Sequence, residues 1–392
     1  MRSKILSIAF LLLATTAGMS LWFMTAAILP DIARDRGVSD TDLAALSSAV
    51  QAGFVFGAVT IALSGIADRA DPRRVFATCA IGTGLANLAL LAVPIDGVLA
   101  VGLRFVTGAL MAGVYPIGMK IAVGWGLRDR GFLVGLVVGA IATGKSLPYL
   151  LAWLGGADWR LVLMLGSVLA AAGGGLVLLA GLGPHHVRAA NFRPSAVLLA
   201  WTDRRIRSAY FGYFGHMWEL FVLWAWLSTA AAVSYGASLA PATAESLAKL
   251  TAFVAILVGA PISIFAGRLA DRFGKARIAA LALAASGSAA LVTAATFGGP
   301  PWLTFALFVL WGVAVVPDSA QFSALVADFA PGELAGSLLT LQTALGFTLT
   351  VVTLQGAPLV AGALGWPALL ALLAVGPAFG IWGLRPLLRA GQ

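Results

Sequence analysis

Six ionisable side chains stand inside long apolar stretches of this 392-residue chain: Arg104, Lys120, Lys145, His216, Glu219 and Asp318. An ionisable group in hydrocarbon costs about 2.5–3.5 kcal/mol on insertion scales, so those that remain are candidates for chemistry. Glu219 lies about ten residues into its stretch, which at about 1.5 Å per residue is near mid-membrane. His216 precedes it by one helical turn, so the two share a face. Asp318 sits at a comparable depth, with Gln321 on its face. A carboxyl in such a place changes protonation as its surroundings turn from dry to wet, which is the chemistry of a coupling-proton site. The alternative is a fixed salt bridge from these acids to Lys145 or Arg104. With His216 set aside, three cations stand against two acids. That imbalance points toward an anionic solute, because a spare buried cation needs a partner.

The elements that must position these groups follow from composition. Hydrophobic residues make up 60% of the chain and charged residues 10%, with a mean hydropathy of +0.96. Soluble domains carry about 25% charged residues, so lipid is the solvent for most of this chain. Twelve stretches are long enough to span a bilayer, the first over 5–29, the fourth over 99–124, the seventh over 209–233 and the tenth over 302–326. The fold class expected is all-α integral membrane, with twelve transmembrane helices in two pseudo-symmetric six-helix bundles, 1–183 and 209–392. A central loop over 184–208 joins them. Of the 25 Lys and Arg residues, Arg34, Arg36, Arg160 and Lys249 fall on the far side and three lie within spans. The other 18 flank the side of the termini, which the positive-inside rule makes cytoplasmic.

The net charge of +9 therefore belongs beside an anionic leaflet and does not imply nucleic acid. A single cysteine, Cys79, and three histidines supply no cluster for a metal, and no cofactor is expected. The segment from Gly139 to Ser146 satisfies the P-loop pattern G-x-x-x-x-G-K-S. Inside an apolar span its N–H groups are spent on the helix, so a packing face of small residues is the better account.

Each half repeats a signature between its second and third span. In the second half it runs Gly267-Arg268-Leu269-Ala270-Asp271-Arg272-Phe273-Gly274-Lys275-Ala276-Arg277. In the first, Gly65-Ile66-Ala67-Asp68-Arg69-Ala70-Asp71-Pro72-Arg73-Arg74 stands in the same place. Asp68 and Asp271 are 203 residues apart, close to half the chain, the internal duplication typical of secondary transporters. The Gly267–Arg277 segment resembles the loop signature of the major facilitator superfamily. The first-half copy is degraded, with Ser64 where the first glycine belongs and Asp71 where a later one does. The run from Arg104 to Gly108, through Tyr115-Pro116, is similar to the family's fourth-helix motif, and Arg128-Asp129-Arg130-Gly131 to its next loop. Gly215-His216-Met217-Trp218-Glu219 resembles a segment of bacterial members.

The resemblance implies that Asp68, Arg69, Arg74, Gly267, Asp271, Arg272, Gly274 and Lys275 form cytoplasmic gating latches. It also associates the Arg104 position with proton coupling, although an arginine there can equally bond carbonyls of a neighbouring helix. Glu219, Asp318, Arg104 and His216 are thus the proton-coupling candidates. Lys145, Lys120, Tyr115, Trp22, Trp218, Gln321 and Gln342 are the substrate-binding candidates, flanking a central solute site. The expected protein is a monomeric, proton-coupled transporter of a small anionic organic solute in a bacterial inner membrane, its partners being substrate, protons and lipid. A drug/proton antiporter would rely on an acid and not on Lys145. A transporter-like assembly factor or sensor would not require the buried charges. No nucleophile–base pair or metal-ligand spacing suggests an enzyme.

Overall fold

The computed structural model describes residues 3–64, 66, 70–126, 130–156, 158–184, 196–331 and 334–390. Asp68, Arg69, Arg128 and Asp129, singled out above, lie outside the described residues. The chain divides into two compact units, Met1–Ala189 and Ala190–Gln392. The first holds α1 (Lys4–Gly18), α2 (Met24–Arg36), α3 (Asp40–Ser64), α4 (Pro72–Leu88), α5 (Val98–Met111), α6 (Tyr115–Val123), α7 (Arg130–Leu154) and α8 (Trp159–Val177). A single 3-10 turn over Ala89–Ala92 prolongs α4. The second holds α9 (Ala196–Thr202), α10 (Arg204–Tyr235), α11 (Pro241–Leu257), α12 (Gly259–Phe273), α13 (Lys275–Ala295), α14 (Pro301–Val315) and α15 (Ser319–Phe329). It ends with α16 (Ala335–Leu364), α17 (Trp366–Leu373) and α18 (Val375–Ala390).

Among the described residues, 11 helical stretches are long and apolar enough to cross a membrane, and α1 is a shorter apolar helix. Taken with α2, α1 makes the twelfth crossing, so each unit carries six. Leu63, Leu99, Leu281 and Leu364 are between 65 and 72% exposed, a cost in water but the normal state of a lipid-facing side chain.

Several crossings expected to be continuous are interrupted. The fourth breaks over 112–114 between α5 and α6, with Pro116 in the first turn of α6. The tenth breaks over 316–318 between α14 and α15, at Pro317. Proline has no N–H to give and its ring collides with the carbonyl four residues back, so both breaks have a covalent cause. The first crossing breaks over 19–23 with no proline in the gap; a distant side chain holds that one. The seventh is longer than expected. Asp203 caps α10 by accepting from the N–H groups of Arg205 and Ile206, so 204–208 are helix and not loop.

Small residues let these helices approach closely. A Cβ on Gly53 or Gly57 would strike the backbone of Phe105 or Ala109, and one on Gly108 the backbone of Val50. Glycine is what allows α3 and α5 to touch main chain to main chain. On α7, a Cβ on Gly144 would strike the Thr16 carbonyl of α1. The P-loop-like run lies wholly within α7, and Thr143 and Ser146 turn their hydroxyls back onto the carbonyls of Gly139 and Thr143. No phosphate cradle is formed there.

Candidate functional site

In the second unit, three helices converge on Glu219. It sits on α10 with no exposed surface. Its Oε1 accepts from the Trp311 indole N–H of α14 at 2.5 Å, and its Oε2 from the Ser286 hydroxyl of α13 at 2.9 Å. Trp311 is held in turn by stacking on Phe308, with 7° between the ring planes. One turn earlier on α10, His216 is fully buried, and its Nδ1 lies 2.9 Å from Oδ1 of Asp318. The two atoms are within ion-pair distance but do not meet hydrogen-bond geometry. Tyr213 and Phe322 pack beside the imidazole, their ring centroids 6.2 and 6.0 Å away.

The break in the tenth crossing positions Asp318. Its own carbonyl accepts from the N–H groups of Gln321 and Phe322, which starts α15. Gln321 folds its amide back onto the Pro317 carbonyl at 3.4 Å. The structure thus groups Glu219, His216 and Asp318 at α10, joined by Ser286 and Trp311, while Gln321 stands one turn after Asp318 on α15. Gln342, on α16, is buried with neither amide atom hydrogen-bonded. Trp218 goes elsewhere. Its indole donates to the Leu372 carbonyl on α17, and it lines an apolar cavity of about 440 Å³ with Phe214 and Phe379.

In the first unit, the Lys145 ammonium of α7 sits 4.3 Å from the centre of the Trp22 ring. Trp22 packs on Phe54 of α3 with centroids 4.9 Å apart, and Phe54 stacks on Tyr115 at 6.3 Å. Lys145, Trp22 and Tyr115 therefore belong to one cluster, with Phe54 as the connecting ring. Lys120 lies further along α6 and is half-buried. One turn before Phe54, Gln51 is wholly buried with neither amide atom hydrogen-bonded.

Arg104 supports this cluster from behind. It has no exposed surface. Nη1 donates to Asn87 Oδ1 at 2.9 Å, and Nη2 donates to the carbonyls of Leu21 and Trp22 at 3.2 Å each. Those carbonyls lie in the gap between α1 and α2, so Arg104 satisfies acceptors that the broken helix leaves open. Asn87 is anchored by donating to the Ser167 hydroxyl at 3.0 Å. No carboxylate is among the partners of Arg104 in the described residues. Of the two roles open to it at the sequence level, carbonyl bonding is the one this geometry displays. Asp31 is a buried acid that the expected end of the first span left outside the membrane, and it lies 3.6 Å from Arg34.

Of the latch residues, Asp271 and Arg272 are exposed, as is Arg74. Arg272 lies over the Phe273 ring, and Lys275 donates to Asp328 at 2.5 Å, an ion pair tying α13 to the end of α15. Gly274 has φ +96°, a conformation side chains resist, so glycine there is a backbone requirement. A Cβ on Gly267 would meet open space.

Asp71, a departure from the signature, has work of its own. It caps α4, accepting from the Arg73 N–H at 2.9 Å, and Arg73 Nη2 grips it at 2.6 Å. Arg73 also donates to the Ala180 carbonyl beyond α8. The Arg73 guanidinium holds the Asp71 carboxyl below the usual carboxylate range. Being depressed on folding, this carboxyl adds stability above the unfolded pKa of about 3.9, lost as pH falls through the lower folded value. Asp71→Ala is expected to cost about 1 kcal/mol as a lost cap, read as a lower unfolding temperature at pH 7 and a smaller difference near pH 3.

The chain matches the family model described as Major Facilitator Superfamily over residues 10–354. Among solved structures it is similar to a mutant form of the nucleoside transporter NupG, with a TM-score of 0.73 at 14% identity over 97% of this chain and 99% of that one. It is similar to a D-xylose-proton symporter, with a TM-score of 0.72 at 16% identity over 98% and 97%. The inward-open xylose transporter XylE from E. coli gives 0.73 at 12% identity over 97% and 95%. At these identities the likeness is one of fold. No curated protein matches the chain by sequence.

Proposed function

Because the chain belongs to the Major Facilitator Superfamily, and is a secondary transporter and not an enzyme, we propose that it couples protons to the movement of a small organic anion. It works as a monomer in a bacterial inner membrane with both termini cytoplasmic, and exposes its solute site to each side in turn. Glu219 is the observation that carries this reading. A carboxyl at mid-span, held by two neutral donors and next to the His216–Asp318 pair, has no counter-ion bonded to it among the described residues. Such a group is costly when charged and dry, so it trades a proton whenever its access to water changes.

The choice of an anion rests on Lys145, a cation buried against Trp22 in a wall of aromatic rings. The rings supply flat apolar surface, and the amide of Gln51, one turn before Phe54, offers donors and an acceptor to a polar solute.

Two measurements test this. In proteoliposomes, an imposed pH gradient should drive accumulation of the solute, and loss of both Glu219 and Asp318 carboxyls should abolish it. Continued proton-coupled flux in that double variant would falsify the coupling. In detergent, organic anions should raise the unfolding temperature of the wild-type protein. Lys145→Ala should weaken that binding by about tenfold to a hundredfold, the worth of one charged hydrogen bond. Stabilisation by lipophilic cations alone, equal in both proteins, would instead identify a drug antiporter.

A further inference from the structure

The second unit carries a charged cavity away from the proposed solute and proton sites, with the latch residues Gly274 and Lys275 in its wall. It has a volume of about 770 Å³ and opens beside the end of the unit where the C-terminal helix finishes. Arg204 and Arg205 reach it from the start of α10, Lys275 and Arg277 from the start of α13, and Arg389 from the end of α18. Three separate helices thus place five cations around one space. Asp203 engages Arg205 at 3.5 Å and Asp328 engages Lys275, but no carboxylate is among the described residues of the wall. The first turn of α13 also faces this end without a side-chain cap, which adds partial positive charge.

The floor is apolar. Phe273, Leu325 and Phe329 line it, and Arg205 lies over the Phe329 ring at 5.2 Å. Along α12, Phe265, Leu269 and Phe273 are 58, 47 and 49% exposed and spaced one turn apart. This greasy stripe runs up a lipid-facing helix and ends inside the cavity. Clustered arginines match phosphate oxygens through their planar forks, and a stripe leading into such a cluster matches an acyl chain.

We propose that this cavity binds a phosphate-bearing anion, supplied as the headgroup of an anionic phospholipid whose chains lie along α12. A headgroup seated there touches α10, α13 and α18 together and bears on the Lys275–Asp328 pair. Lipid composition would then set how readily that pair breaks.

The test uses the full-length protein in mixed micelles, titrated with a diphosphate phospholipid (cardiolipin), with phosphatidylcholine, and with inorganic pyrophosphate. Variants are Arg204→Gln with Arg389→Gln, and the charge-keeping Arg204→Lys with Arg389→Lys. Each cation near a membrane surface is worth about fivefold in binding, so the glutamine pair should bind cardiolipin about thirtyfold more weakly than wild type. The lysine pair should recover most of this, which separates lost charge from lost fold. Cardiolipin binding that pyrophosphate does not displace assigns the site to lipid. Displacement by pyrophosphate, with the same variant dependence, assigns the same phosphate chemistry to a soluble source. Equal cardiolipin binding by wild type and the glutamine pair would overturn the proposal, as would equal binding of phosphatidylcholine.

Discussion

Glu219→Gln is expected to stop proton-driven accumulation while leaving a folded protein that still exchanges its solute. A pH gradient of one unit supplies about 1.4 kcal/mol per proton, enough for about a tenfold concentration ratio of the coupled solute. The glutamine variant should reach a ratio of one. Its fold should tolerate the change because of who donates to whom. The Trp311 indole is a donor only and keeps the remaining carbonyl oxygen, whereas the Ser286 hydroxyl can rotate and accept from the new NH₂. The stability loss should therefore stay near 1 kcal/mol. Counterflow of labelled solute without a gradient reports transport, and a pH-sensitive dye inside the vesicles reports coupling. If both readouts survive in the variant, Glu219 is a structural acceptor. The proton then moves elsewhere, and Asp318→Asn is the next variant to measure.

Arg104→Lys should be nearly as damaging to stability as Arg104→Leu. The guanidinium spans Asn87 on one side and two backbone carbonyls on the other, and a point ammonium on a flexible stem cannot reach all three. Removing the arginine leaves buried acceptors unpaired at about 1–3 kcal/mol each. A total loss of about 3–5 kcal/mol is expected, read as a large fall in unfolding temperature. The α1–α2 gap would lose its anchor, and Trp22, whose carbonyl is held there and whose ring lies under Lys145, would shift with it. Anion binding should fall alongside stability. A lysine variant of wild-type stability that had lost only proton coupling would instead assign Arg104 the coupling role associated with its motif.

Composition and charge were enough to read the crossings, because lipid imposes a length and an apolarity that soluble folds do not share. The buried charges were legible for the same reason: each is expensive. Their neutral partners were not. Ser286, Asn87 and Ser167 are ordinary polar residues in apolar helices; Ser286 meets Glu219, Asn87 meets Arg104, and Ser167 in turn holds Asn87, each pair on different helices. Phe54 gave no signal among 21 phenylalanines. The gap after α1 has no proline to announce it, whereas those at Pro116 and Pro317 do. The departure of Trp218 was readable in principle. At about 100° per residue it points away from the face shared by His216 and Glu219.

The interruptions of the fourth and tenth crossings occupy matching places in the two halves. Tyr115 and Asp318 stand 203 residues apart, the same interval that separates Asp68 from Asp271. One interruption bears a phenol and the other a carboxyl. Counted with that interval, Arg104 corresponds to Leu307, Lys145 to Thr348, and Glu219 to Thr16. Arg104 and Lys145 stand in the first copy and Glu219 and Asp318 in the second. A chain assembled from two first halves would duplicate Arg104 and Lys145 but lack Glu219 and Asp318, and one from two second halves would have the reverse defect.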